Sequence, residues 1–440
     1  MPRVCRSPLS DNMKKTDTKL NPISWVSTVY FAMGLPMVML SDVSLLLFKD
    51  MGIPDKEITF WASLLILPWS LKPFFSPVME LFGSKRQYVF ISEIISALML
   101  GLIAASLGLE ESFPLLLLLM AVMALSGSVH DIAGDGIYME ALTPTLQSKF
   151  VGWQGAFYNI AKVLAKGGLV YLVGYLTTSI GIVRSWQSMV LVAGGLMLLL
   201  GVWHMAVLPH SEAPVTDEKR SLRATLQGVW EIFVSFFEKK HIWFYLLFIF
   251  LYRFTEGLAI KVAPLFLKAG TELGGLGLTN KDFGLIYGTL GTIAFIGGSI
   301  LAGYYIGHYG LRKVLFTLAV IFNLPFIIFF LLAFFHPTNL VWPAVGIVVE
   351  QFGYGFGFVG LTLFMMQQVA PGPHRMAHYA IANSLMNLSY MIPGLVSGTI
   401  SDAVGYSSFF LIAVLVSIPG LICAKIVPFS YDGDGNKLTK

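Results

Sequence analysis

The amino-acid sequence predicts an all-α membrane protein with twelve transmembrane helices in two pseudo-symmetric six-helix bundles. Three observations carry that prediction. The 440 residues are 56% hydrophobic and only 12% charged, with a mean hydropathy of +0.73; a soluble domain carries about 25% charged residues. Apolar stretches of about 20 residues, the length that crosses a bilayer, recur along the whole chain. Finally, loop residues repeat at one offset. Asp55 corresponds to Asp282, Gly83-Ser84-Lys85-Arg86 to Gly310-Leu311-Arg312-Lys313, and Pro144 to Pro371, each pair 227 residues apart.

In order, spans 1 to 6 fall near 25–48, 57–81, 88–108, 113–140, 150–178 and 186–208. Spans 7 to 12 fall near 241–268, 283–307, 314–335, 340–370, 374–401 and 407–427. The domains are therefore an N-terminal segment (1–24), a first bundle (25–208), a polar linker (209–240), a second bundle (241–427) and a tail (428–440). Residues 1–20 lack the apolar core of a cleavable signal. Met13, followed by Lys14-Lys15, reads as the native start, with residues 1–12 an extension. Placing both termini in the cytoplasm puts about 19 of the 29 Lys and Arg on that side, against about five in the opposite loops. This is the bias that orients inner-membrane proteins. Parallel halves joined by a charged linker suit two bundles rocking around a central site.

Charge inside the bilayer is costly, about 2.5–3.5 kcal/mol for a residue at a helix centre, and so marks function. Span 4 carries His130, Asp131, Asp135 and Glu140 in an otherwise apolar run. Asp131 and Asp135 are four apart and share a helix face. They are expected to carry protons or bind solute; the alternative is a fixed bridge to Lys162 and Lys166, also four apart, on span 5. On span 7, Arg253 and Glu256 are spaced to pair, leaving the arginine able to hold a substrate carboxylate and Glu256 as a coupling acid. Lys261, nearer the outer end, is expected to snorkel. Gln154, Tyr158 and Asn159 on span 5, with Tyr379, Asn383, Asn387 and Tyr390 on span 11, offer amides and rings suited to a sugar; interhelical hydrogen bonding is the alternative. Lys72 reads as a structural partner of an acid, and Glu350 with Gln351 either lines the cavity or braces its gate. Pro36, Pro68, Pro73, Pro77 and Pro393 should bend helices.

Other classes are excluded by what the chain lacks. Cys5 and Cys423 give no disulfide or metal spacing. There is no phosphate-binding glycine loop for ATP and no zinc-protease helix. No cofactor, metal or nucleic acid is expected; the partners are a small-molecule solute and protons, and the chain is expected to be a monomer.

The loop after span 2 reads Val78-Met79-Glu80-Leu81-Phe82-Gly83-Ser84-Lys85-Arg86. Its second copy reads Gly303-Tyr304-Tyr305-Ile306-Gly307-His308-Tyr309-Gly310-Leu311-Arg312-Lys313. With twelve spans and the repeat, these resemble the G-x-x-x-D-R-x-G-x-R-R signature of the major facilitator superfamily, with Glu80 for the aspartate. The resemblance implies the major facilitator fold and a cytoplasmic latch from Glu80, Gly83, Lys85, Arg86, Arg312 and Lys313. Within that superfamily the chain is similar to the anhydromuropeptide permeases (AmpG type), whose relatives include acetyl-CoA transporters. This likeness runs over about residues 30–427. It rests on Gly34-Leu35-Pro36, Lys72, Ser76-Pro77, Asp131-Ile132, Asp135, Leu142-Thr143-Pro144, Phe236-Phe237, Leu251-Tyr252-Arg253, Glu256 and Glu350. It implies proton-driven import of N-acetylglucosaminyl-anhydromuramic acid and its peptides into the cytoplasm. The chain departs from the family in having Lys162 and Lys166 where span 5 carries an arginine, no cation inside span 11, and an added Asp42 in span 1. The same fold carrying acetyl-CoA, a simple sugar or a sugar acid is the alternative; a membrane-embedded enzyme and a non-transporting sensor are more distant ones.

Overall fold

The computed structural model describes residues 21–81, 84–142, 144–209, 222–372 and 374–431. Nine helices among them are long and apolar enough to cross a membrane. Three further spans are masked by their own chemistry. The 50-residue stretch Ala377–Ile426 turns at Gly405, φ 76° and ψ 160°, a conformation open to glycine for want of a Cβ; it is spans 11 and 12 in one run. Span 7, Ile242–Lys268, carries Arg253, Glu256 and Lys261. Span 2 is broken into Asp55–Leu64, Leu67–Ser70 and Lys72–Leu81, where Pro68 and Pro73 remove backbone donors. Span 1, Ile23–Asp50, widens into a π turn at Met39–Val43 just after Pro36.

The outer surface is apolar, with Leu118, Leu199 and Trp243 each more than half exposed. A soluble protein would bury such side chains, and here lipid covers them. The interior is divided unevenly. On the side away from the termini one continuous core joins both bundles, running from Leu35, Leu46 and Val170 to Val262, Phe266 and Phe283. On the terminal side there are two separate cores. One packs Trp25, Val29, Val89 and Ile137 of the first bundle. The other packs Phe248, Leu318, Phe364 and Ile381 of the second. The bundles therefore meet at one end and part at the other.

The contacts at the sealed end are specific. Spans 5 and 8 each carry a π turn, Val163–Leu169 and Gly284–Leu290, and these pack so closely that a Cβ on Gly288 would overlap the Lys166 carbonyl. The Gly398 amide of span 11 donates to Thr59 Oγ1 of span 2 at 3.1 Å. Lys268 and Asp50 pair at 2.6 Å. Tyr406 donates to Asp55, itself paired with Lys49.

Candidate functional site: a charged cavity between the bundles

Beneath this seal lies a cavity of about 820 Å³, its open mouth included. Spans 1 and 5 of the first bundle line it with Ser41, Asp42, Tyr158, Lys162 and Lys166. Spans 7, 8, 10 and 11 of the second line it with Arg253, Thr292, Phe295, Gln351, Tyr354, Asn387 and Tyr390. Both bundles thus contribute cations and rings to one space, and the second adds the amides of Gln351 and Asn387.

The charges differ in how far they are answered. Arg253 and Glu256 are buried and paired, with Arg253 Nε donating to Oε2 at 2.6 Å and Nη2 to Oε1. The guanidinium also lies over the Tyr390 ring, 5.0 Å from its centre. Lys166 faces Asp42 at 3.7 Å and sits 4.0 Å from the Tyr287 ring centre. Lys162 lies near two rings, Tyr158 at 5.4 Å and Phe295 at 5.1 Å, with Asp42 within electrostatic reach. Among the described residues no carboxylate lies within ion-pair distance of it. The alternative reading, a bridge between the span 4 aspartates and the span 5 lysines, is not what forms: Asp131 pairs with Lys72 and Lys166 faces Asp42. Asp42, the acid that departs from the family pattern, takes Lys166 instead, because the bulge after Pro36 turns it toward span 5.

Asp131 and Asp135 have separate surroundings. Asp131 is 7% exposed and accepts from Lys72 Nζ at 2.6 Å and Trp69 Nε1 at 2.9 Å. Both donors flank the break in span 2, so Asp131 fastens that break to span 4. Asp135 is solvent-accessible. It accepts from the Tyr30 hydroxyl at 2.7 Å, and Gln154 Nε2 donates to that same hydroxyl at 2.9 Å.

The remaining expected residues scatter. Asn159 donates to its own helix at Gly155. Asn387 and Tyr390 line the cavity, whereas Asn383 and Tyr379, nearer the terminal side, do not. Glu350 is buried, holding the Gln351 amide at 2.8 Å, and it is Gln351 that reaches the cavity. Lys261 does not snorkel: fully buried, it donates to Ser41 O at 3.0 Å and Ala62 O at 3.3 Å across the bundle interface. Of the latch, the Glu80 side chain and Gly83 lie outside the described residues. Lys85 pairs with Glu140 within the first bundle, and Arg86 donates to the Met205 carbonyl. Arg312 and Lys313 are exposed at the start of span 9.

Sequence reasoning missed Tyr30 and Trp69, which carry no charge to flag them. It also missed Glu93 and His204, which the rule that found Asp131 would have caught: ionisable residues inside apolar spans.

Two six-helix bundles enclosing a charged, solvent-sized cavity define a membrane transporter. The sequence model of the Major Facilitator Superfamily matches residues 24–372, and the chain belongs to that family. The anhydromuropeptide permease of Escherichia coli (strain K12) is 24% identical over 403 residues, covering 89% of this chain and 77% of the permease. A protein of Haemophilus influenzae is 22% identical over 412 residues, covering 89% and 91%. Among solved structures, a mutant of the nucleoside transporter NupG superposes with a TM-score of 0.69 at 14% identity, covering 91% of this chain and 98% of that one. A D-xylose–proton symporter superposes with 0.66 at 15% identity, covering 94% and 99%. These structural likenesses establish the fold.

Proposed function

We propose that the protein is a proton-coupled importer of an anionic amino sugar of the muropeptide type, working by alternating access across the cytoplasmic membrane. The observation that carries this reading is Lys162: a cavity-lining ammonium with rings but no carboxylate beside it. A partly buried cation with no carboxylate in ion-pair distance is open to a charged solute, and a solute carboxylate supplies the missing charge. Asn387 and Gln351 can bond sugar hydroxyls and amides, while Tyr158, Tyr354 and Tyr390 cover the apolar ring face. The likeness to the permease supports the same solute class.

Charge also orders the alternatives. Arg253 is neutralised by Glu256 and Lys166 faces Asp42, so the cavity offers one open positive charge. That favours a solute with one carboxylate, a muropeptide or sugar acid, over acetyl-CoA with its several phosphate charges. For the proton, Asp135 is the better carrier of the two aspartates: it is reachable by water and held by a neutral phenol, whereas Asp131 is neutralised by Lys72. With both termini cytoplasmic, the described state is closed outside and open inside. Solute would enter when the contacts around Gly288, Asp50 and Lys261 part. The test is uptake of labelled N-acetylglucosaminyl-anhydromuramic acid into energised vesicles, beside a sugar acid and a neutral sugar, with and without a proton gradient. Gradient-dependent accumulation of the unchanged amino sugar is expected; equal uptake of the neutral sugar, or no effect of the gradient, would overturn the reading.

A further inference from the structure

Away from the cavity, the first bundle buries a second group of ionisable side chains. Glu93 of span 3 is wholly inaccessible, as is His204 of span 6, and His130 of span 4 is 3% exposed. Glu93 Oε1 is 2.9 Å from His130 Nε2 and 2.7 Å from His204 Nδ1. On the far side of His204, Nε2 lies 2.8 Å from the hydroxyl of Thr28 on span 1. Four spans therefore meet at one carboxylate and two imidazoles.

Donor counting fixes what this cluster can do. A carboxylate only accepts, so both rings present an N–H to Glu93. Thr28 has one hydroxyl proton and three acceptors in reach, the Ser24 carbonyl at 3.0 Å, the Trp25 carbonyl at 3.2 Å and His204 Nε2. When the proton points to Nε2, His204 is neutral. When it points to either carbonyl, Nε2 must itself donate, and His204 is an imidazolium beside the Glu93 carboxylate. Turning one hydroxyl thus accommodates one added proton with no heavy atom displaced. The other groups facing the cluster are Ser92, Ser96 and Ser126, bonded among themselves, and Arg86, two turns before Glu93, whose guanidinium is on Met205 O beside His204. Among the described residues no further acid or lysine is paired to it.

The cluster bears on span 4 about 100° round the helix from Asp131. His130 ties the helix to span 3 while its neighbour Asp131 ties it to span 2. Span 4 is thus tied to two neighbours here, and Asp135, one turn beyond Asp131, meets Tyr30. His130 is also within electrostatic reach of Asp135.

We propose that Glu93, His130, His204 and Thr28 form a proton-accommodating cluster that positions span 4 and so sets the proton affinity of Asp135. The proposal rests on Asp135 as the proton carrier. The experiment needs no solute: infrared difference spectra of the purified full-length protein in lipid, titrated with pH, follow the protonated-carboxyl band that Asp135→Asn removes. His130→Leu and the near-isosteric Thr28→Val should each displace the midpoint of that band by about one pH unit, the scale on which a neighbouring charge or hydrogen bond acts on an acid. His130→Gln, which keeps a donor toward Glu93, should displace it less. Should His130→Leu fail to fold, Thr28→Val carries the test alone. A band present in the wild type and unmoved in the folded variants overturns the cluster's role only. If Asp135→Asn removes no band, both that role and the carrier reading fall.

Discussion

At the scale of single residues, the membrane makes each unanswered charge informative, and the cavity has one. Replacing Lys162 with Gln removes a charge-assisted contact of about 1.5–3 kcal/mol. The solute KM should therefore rise about tenfold or more, with little change in the proton dependence of uptake; an unchanged KM for the anionic sugar would remove Lys162 from the binding site. If Asp135 carries the proton as proposed, Asp135→Asn should abolish accumulation driven by a proton gradient while solute counterflow persists. Asp131 should behave differently. Lys72→Ala leaves that carboxylate buried without its counter-ion and should cost on the order of 2 kcal/mol, below the full penalty for a buried pair because Lys72 is a quarter exposed. The double change of Lys72 and Asp131 to Ala should recover part of the loss in a thermal melt. These residues were found from sequence because ionisable groups stand out in apolar spans; their partners were not, because pairing depends on which face of which helix is nearest. Asp42 shows this well: the π turn after Pro36 aims it at Lys166, and no spacing rule foretells that.

At the scale of elements, the seal is built largely from irregular spans. Spans 1, 2, 5 and 8 are interrupted by π turns or breaks, and each contributes to the seal. Irregular backbone at membrane depth is tolerated where protein or a cavity supplies the missing partners. Lys261 does so here, its ammonium meeting carbonyls at the bulge of span 1 and near the break of span 2. The contact of spans 5 and 8 depends on Gly288 having no side chain. Gly288→Val cannot keep that approach, so it should shift the population toward the state open at the other end. A single cysteine placed at Ser41, in a background lacking Cys5 and Cys423, reports this: its labelling by a membrane-impermeant reagent from the side away from the termini should increase.

At the scale of the molecule, the bundles share one core at one end and keep two at the other, so the two states compete through a small set of contacts. The Asp50–Lys268 pair is among them, supported by Asn280 and Trp186, which donate to the same carboxylate. Asp50→Asn should weaken the sealed end by about 1 kcal/mol, roughly a fivefold change in population. Exchanging the charges, Asp50→Lys with Lys268→Asp, should restore part of it. Distance measurements between labels across the sealed end read both outcomes.

The sequence by itself determined the membrane, the number of spans, the duplication and the family. The membrane, the spans and the duplication follow from composition and period, which survive without knowing which helix lies beside which, and the family from the resemblance of the loop and span motifs. It also picked out most of the charged residues that line the cavity. Only the tertiary structure decided which charge answers which. It gave Lys72 to Asp131, Asp42 to Lys166 and Glu93 to two histidines, and left Lys162 open. Ion pairing acts over a few ångströms, and in this protein those distances are set by proline breaks and π turns that rotate one helix face against another.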